Sequence, residues 1–327
     1  MAEKLLKDFI KESVKALLPQ YEEAEAHSMV MMLCQECLGV MSWTHVTEPG
    51  TLIPDEDLPY LQEAVSRMAG GEPIQYVLGY TEFRGRIFKT DRRALIPRIE
   101  TELLVEEVVH WVSERQGPAS EGVRSAHPTT GRPAVPPFPG RGRHVLQPQD
   151  PAAPIRVLDL CTGSGCIAWS LAFELPGSQV TAADLSEDAL ALAKSQFRRL
   201  PKGVLRPSFI HGDILDFNSD FPQCDIFTAN PPYITLPERS LMRANVLDWE
   251  PEMALFAPES DPLAFHKALA LWAERLLVPG GFGIVEINED LGPESLGIFA
   301  SMPAFTRTRL VEDFAGKPRF VSFVRAE

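Results

Sequence analysis

No stretch of this chain reaches the roughly eighteen consecutive apolar residues that a membrane-spanning helix requires. Basic residues are also scarce. Lys and Arg number 31 against 45 Asp and Glu, a net charge of −14. That balance excludes a sequence-independent grip on phosphate backbones, though it suits a basic protein partner. Cysteine is sparse, with five in 327 residues, which gives no disulfide framework. Cys34 and Cys37 form a CxxC, but no second pair completes a zinc site. No metal is therefore expected, and the pair reads as packing within an apolar helix. No internal repeat and no secretory apolar segment are visible. Glu3, Asp8 and Glu12 among the first lysines argue against a transit peptide. The expectation is a cytoplasmic protein with reduced thiols, long enough for two domains.

What is present begins with Asn230-Pro231-Pro232-Tyr233. It follows Cys224-Asp225-Ile226-Phe227-Thr228-Ala229, an apolar run that reads as a buried strand. Asn-Pro stops that strand, because proline lacks an N–H and restricts the residue before it. An Asn is thus held at the carboxyl end of a strand, where open α/β sheets bind their ligands. Its side-chain carbonyl and the backbone carbonyl of Pro231 can accept from a planar NH2 group. Tyr233 offers a face for a flat group. The set suits an amide or an exocyclic amine.

A second motif lies upstream. Ile155-Arg156-Val157-Leu158-Asp159-Leu160 reads as a strand, followed by the turn Cys161-Thr162-Gly163-Ser164-Gly165 and a helix start. Glycines let the backbone approach a ligand, and a helix N-terminus supplies unpaired N–H groups. The next strand ends at Asp184, at the distance that suits ribose hydroxyls. Alone, this turn also fits a nicotinamide oxidoreductase, which leaves NPPY unexplained. Glycine turn, Asp184 and NPPY in that order look like an S-adenosylmethionine-dependent amino-methyltransferase.

Three helices are expected before residue 72, the third over 58–68 and stopped by Gly70-Gly71. Residues 75–80 and 86–90 suggest a hairpin, and a helix is expected over 101–112. Residues 116–154 are crowded with Pro, Gly, Ser and Arg and read as a disordered insertion. Beyond them strands near 155–160, 179–184, 206–211, 224–229 and 282–288 alternate with helices, and 306–312 with 319–325 close the edge. The fold class is therefore α/β, with a mostly parallel sheet and helices on both faces.

Taken together, these residues resemble the HemK family of protein-glutamine N-methyltransferases, which modify the Gly-Gly-Gln loop of peptide-chain release factors. The resemblance spans nearly the whole chain apart from 116–154. It rests on Gly71-Glu72-Pro73-Ile74-Gln75-Tyr76-Val77-Leu78-Gly79, on Glu82-Phe83 and Gly85, and on Leu95-Ile96-Pro97-Arg98-Ile99-Glu100-Thr101-Glu102. Further on it rests on Asp159 to Ala168, Ala183-Asp184-Leu185-Ser186, NPPY, Glu250-Pro251, Pro279-Gly280-Gly281 and Glu286-Ile287. The family usually has Gly at Cys161, where a positive φ would strain any other residue, and often Pro at Ile99.

The resemblance implies a Rossmann-like S-adenosylmethionine-dependent methyltransferase domain with a seven-stranded sheet over 101–327. It implies a helical substrate-recognition domain over 1–72 and a hairpin linker over 73–100. Cys161, Thr162, Gly163, Ser164 and Gly165 would wrap the methionine and ribose end of the cofactor. Asp184 would bind the ribose, Asp213 and Ile214 would lie beside the adenine, and Asn230 would bind the substrate amide and border the cofactor. Asp159 would touch the cofactor or brace the loop. Release factors would be the protein partners of a monomer, with neither nucleic acid nor membrane bound. The alternatives are an adenine N6-methyltransferase, which calls for a basic target-recognition region, and a non-catalytic S-adenosylmethionine-binding subunit of a translation complex, which has no need of NPPY.

Overall fold

A computed structural model describes residues 4–116 and 153–327. The expected insertion over 116–154 lies almost wholly outside the described residues.

The chain opens with β1 (Lys4–Leu5), α1 (Leu6–Leu17), α2 (Glu23–Leu38), α3 (Thr44–Thr47), β2 (Leu52–Ile53) and α4 (Leu58–Ala69). α1 is amphipathic and buries Leu6, Phe9, Ile10, Ser13 and Leu17, a stripe at helical spacing. It packs on Ala26, Met29, Val30, Leu33 and Cys34 of α2 and on Leu61, Ala64, Val65 and Met68 of α4. Cys34 belongs to this core, and burial pushes its thiol up to about 12. The short β1–β2 pairing was not foreseen, because two residues per strand carry no readable alternation.

Next come α5 (Ile74–Leu78), β3 (Tyr80–Phe83) and β4 (Arg86–Lys89). The strand expected over 75–80 is instead the single-turn helix α5. Pro73 sits at its start, and Gly79 at φ +80° closes it with an N–H to the Gln75 carbonyl. Ile74, Tyr76 and Val77 are buried, so packing overrides their strand preference. The hairpin begins only at Tyr80. Arg84 and Arg86 fasten it to Glu174, with Arg84 Nη2 2.6 Å from Oε2.

The remaining elements are α6 (Glu102–Gln116), β5 (Arg156–Leu160), α7 (Cys166–Glu174), β6 (Gln179–Asp184), α8 (Glu187–Lys194), β7 (Ser208–His211) and β8 (Cys224–Ala229). They continue with α9 (Ala244–Leu247), α10 (Glu252–Leu255), α11 (Ala264–Leu276), β9 (Leu277–Glu286), α12 (Gly292–Ala300), β10 (Phe305–Glu312) and β11 (Pro318–Arg325). Seven strands form one sheet in the order β10-β11-β9-β8-β5-β6-β7. β5 to β9 run parallel, and β11 and β10 close the edge antiparallel. Both faces are covered, which explains the unbroken apolar strands. Val157, Ile226, Phe282 and Ile284 face α6, α7 and the hairpin, while Leu158, Phe227 and Val285 face α11 and α12.

The strand order reverses between β5 and β8. Consecutive strands run outward on either side of that point, and the loops after their carboxyl ends part to leave a crevice. The N-terminal helices reach it through a strap that follows β8. Arg243 on that strap pairs with Glu25 of α2 at 2.5 Å, and Arg92 stacks 3.7 Å above the Trp249 ring.

Candidate active site

The loop from β5 to α7 is built from positive φ angles: Cys161 at +57°, Gly163 at +52° and Gly165 at +79°. Cys161 therefore adopts the backbone that disfavours a side chain, at a cost of roughly 1–2 kcal/mol. Gly165 is required twice over, because a Cβ there would also lie 3.0 Å from Ala193 Cβ and 3.1 Å from Trp169 Cδ1. A Cβ at Gly163 would meet nothing within 4 Å. The loop leaves that space open toward the crevice.

Asp159 does not line the crevice. It is fully buried beneath the loop and accepts from Thr162 Oγ1 at 2.6 Å and Thr228 Oγ1 at 2.8 Å. Of the two roles the sequence allowed, the structure displays bracing. Burial pushes its carboxyl up to about 7 despite those hydrogen bonds. Asp184, at the end of β6, accepts from Gly163 N at 2.7 Å and Ser186 N at 2.9 Å, which fixes the carboxylate at the crevice wall. Burial raises its pKa and the backbone donors oppose the rise. Asp213, after β7, accepts from Leu215 N at 2.8 Å, and Ile214 lies beside it.

Asn230 stands at the end of β8 and donates from Nδ2 to Thr101 Oγ1 at 3.4 Å. Thr101, just before α6, donates in turn to Glu286 Oε2 at 2.8 Å. Tyr233 is turned inward and donates to Glu286 Oε1 at 3.0 Å. Its hydroxyl thus takes a buried carboxylate as partner, while the residue as a whole stays half-buried. Asn230 and Pro232 line the crevice. The chain beyond is anchored by Asn288, whose Nδ2 donates to the Tyr233 carbonyl at 3.1 Å and to Glu238 Oε2 at 2.8 Å.

The crevice thus gathers Cys161, Thr162, Gly163 and Ser164 with Asp184, Asp213, Ile214 and Asn230. Gly165 supports the loop from behind and is not a lining residue. The crevice together with the solvent space directly over it amounts to about 980 Å³. Sequence reasoning did not assign Arg98 or Thr101 to this wall, nor Glu250 behind it. Glu250 accepts from Ile96 N at 3.1 Å and Arg98 Nη2 at 2.6 Å, holding the segment 95–101 against the opening. The signal was an acid next to proline in Glu250-Pro251, with no local partner to read.

These residues fit S-adenosylmethionine. An ionised carboxylate has about four acceptor sites, so Asp184 keeps room for ribose hydroxyls beyond its two backbone donors. Leu185, Ala189 and Ile214 supply apolar surface for a flat base. The open side of Gly163 admits a ligand against the backbone. Among the described residues no group of His, Cys, Asp or Glu is placed to hold a metal.

The fold and crevice define an S-adenosylmethionine-dependent methyltransferase of the Rossmann-like class. The model for a methyltransferase domain matches residues 157–247, and the model for the PrmC N-terminal domain matches residues 10–79. The release factor glutamine methyltransferase of Bacteroides thetaiotaomicron is 34% identical, over 96% of this chain and 97% of that protein. The protein of the same name from Flavobacterium psychrophilum is 30% identical, over 97% and 98% respectively. Among solved structures, TrmN from Thermus thermophilus is 29% identical over 53% of this chain and 45% of its own, at TM-score 0.38. The chain belongs to the release factor glutamine methyltransferase family.

Proposed function

We propose that this enzyme methylates the side-chain amide nitrogen of the glutamine in the Gly-Gly-Gln loop of peptide-chain release factors. The observation that carries the reading is the Asn230 carboxamide, set at the crevice wall with its nitrogen engaged by Thr101. Its oxygen is thereby left as an acceptor for an incoming N–H. When bound, S-adenosylmethionine supplies an activated methyl on a sulfonium, with its own leaving group.

The chain's task is to present the nitrogen. An amide nitrogen is a poor nucleophile, because its lone pair is shared with the carbonyl. Asn230 Oδ1 accepts one of its N–H bonds and fixes its direction, so positioning is the main lever. The same acceptor favours positive charge growing on nitrogen, an oxyanion hole with the sign reversed. Pro231 and Pro232 hold the turn rigid, and the Pro231 carbonyl is the second acceptor available at that turn. Tyr233 braces from behind. Asp184 takes the ribose hydroxyls, Asp213 and Ile214 flank the adenine, and the 161–165 loop encloses the remainder of the cofactor.

Residues 1–72 act as the recognition domain, 73–100 as the linker and 101–327 as the catalytic domain. The enzyme works as a cytoplasmic monomer and grips no nucleic acid, a reading supported by its net charge of −14. Among the described residues no helix is long and apolar enough to cross a membrane. The test is mass spectrometry of the Gly-Gly-Gln peptide from a release factor incubated with enzyme and cofactor. A gain of one methyl on the glutamine is expected. An unmodified glutamine, with adenine in nucleic acid methylated instead, would replace this reading with the nucleic-acid alternative.

A further inference from the structure

Glu286 is an acid at the end of an apolar strand, 1% exposed, and its side-chain partners Thr101 and Tyr233 are far from it in sequence. Neither the loop that encloses the cofactor nor the acceptor itself accounts for it. Its two oxygens are taken by two hydroxyls, Thr101 Oγ1 at 2.8 Å and Tyr233 at 3.0 Å. Burial pushes this carboxyl up to about 7. In its ionised form, above that pH, it only accepts, and both hydroxyls then spend their single proton on it. Thr101 Oγ1 then has only lone pairs left to offer its other neighbour. That neighbour, 3.4 Å away, is the Asn230 side chain. A carboxamide has an oxygen end and a nitrogen end of nearly equal shape, and only the nitrogen end can satisfy an accepting hydroxyl.

We propose that Glu286, acting through Thr101, is the positioning residue that sets which end of the Asn230 carboxamide faces the crevice. The inference rests on the reading of Asn230 as the acceptor for a substrate amide. With the carboxylate in place, the donation runs from Asn230 to Thr101 to Glu286, and Oδ1 is left toward the substrate. With a neutral amide at 286, the hydroxyl of Thr101 can accept a hydrogen bond from the amide N–H and donate its own to Asn230. The carboxamide then turns over and presents NH2 to an incoming NH2, which repels instead of holding it. Tyr233, donating to the other oxygen, keeps the Glu286 carboxylate from rotating away from Thr101.

The test uses the full-length enzyme with S-adenosylmethionine and an intact release factor at about pH 8, above the raised Glu286 value of about 7. Thr101→Val, which keeps the shape and loses the hydroxyl, is expected to lower kcat by roughly tenfold or more, with cofactor Kd and release-factor KM each within about threefold. Thr101→Ser, which restores the hydroxyl, is expected to recover at least about a third of the wild-type kcat. Glu286→Gln should match the loss in Thr101→Val, and the double variant should be no worse than either, because both break one chain. Melting curves check that each variant is folded, and if Glu286→Gln is not, the Val and Ser pair decides.

A second readout is independent of activity. In the nuclear magnetic resonance spectrum, the Asn230 side-chain NH2 signal, assigned by its loss in Asn230→Asp, should show a nuclear Overhauser effect to Thr101 protons. That effect should disappear in Glu286→Gln. Wild-type kcat in Thr101→Val, multiplying losses in the double variant, or a Thr101→Ser variant as poor as Thr101→Val would each overturn the relay. If the wild type leaves glutamine unmethylated, the substrate reading fails by itself. The resonance measurement then still decides the orientation, and an absent or unaltered Overhauser effect overturns it.

Discussion

Asn230 and Asp184 line one crevice, and the two side chains are fastened in opposite senses. Asn230 is held by its donor end, 3.4 Å from Thr101 Oγ1, whereas Asp184 is held by accepting from two backbone N–H groups. Removing each should separate chemistry from binding. Asn230→Ala is expected to lower kcat by the roughly 2.7–4 kcal/mol typical of deleting one preorganised group at a charge-developing site. Cofactor affinity, measured by calorimetry, should stay near wild type. Asp184→Ala should instead weaken cofactor binding by about 1.5–3 kcal/mol, the usual worth of a charged hydrogen-bond partner. An unchanged dissociation constant would place the ribose elsewhere. Much of this crevice was legible because the glycine turn, Asp184 and NPPY each follow a strand and are contiguous in sequence. Asp159 was legible as an acid at a strand end, yet only the structure shows it turned beneath the loop to two threonine hydroxyls. Thr101 and Glu286 were quoted in the sequence without a role, since residues 101, 230 and 286 meet only when β8, β9 and α6 are assembled.

At the scale of elements, β9 shows why a strand sometimes needs a residue with no side chain. Gly283 lies opposite Phe323 of β11, and a Cβ there would fall 2.2 Å from Phe323 Cε2. The Phe323 ring uses that space to stack on Phe299 of α12, with centroids 4.7 Å apart. Gly283→Ala should therefore destabilise the fold by about 1–3 kcal/mol through overpacking. The check is a denaturant midpoint, and Gly283→Ala combined with Phe323→Leu should recover part of the loss. Most elements could be read from the chain because both faces of the sheet are buried and the strands stand out as apolar runs. α5 could not, since Tyr76 and Val77 look like strand residues until Pro73 and Gly79 are seen to frame one helical turn. β9 also begins at Leu277, ahead of the expected 282, because the Pro-Gly-Gly segment enters the sheet across a register shift opposite Cys224 to Ile226.

Across the whole molecule, burial leaves a pH signature. The Asp159 carboxyl is pushed up from 3.8 to about 7 in the folded protein. Both states are protonated below about pH 4, so its contribution to stability is fully present there. As pH rises toward 7, the unfolded chain ionises while the folded one holds its proton, and that contribution is lost. Burial pushes the Glu286 carboxyl up to about 7 as well, which adds a slope of the same sign. The Tm should accordingly fall between about pH 4 and 7, and Asp159→Asn should remove part of the slope. Asp91, Asp261 and Asp313 have pKa values below the usual carboxylate range and act at lower pH. The acidic N-terminal surface makes a different prediction. Reversing Glu22, Glu23, Asp55 and Glu56, all exposed, should lower kcat/KM for an intact release factor and weaken its salt dependence. A short Gly-Gly-Gln peptide should be methylated as before, and equal losses on both substrates would rule out a separate recognition surface. Glu25 is left intact in that test because it ties α2 to Arg243.

α6 carries a consequence for anyone who handles this enzyme. Thr101 at its start borders the crevice, Trp111 stacks on Phe282 at 5.2 Å, and Arg115 at its end donates to the Gly280 carbonyl at 2.8 Å. Its 15 residues thus run down the sheet from the chemical end to the opposite rim, about 22 Å away. The chain leaves the described structure at that rim and returns to it just before Arg156. A fluorophore, an affinity handle or a surface tether attached at the described ends, Gln116 or Ala153, starts from the rim opposite the chemistry.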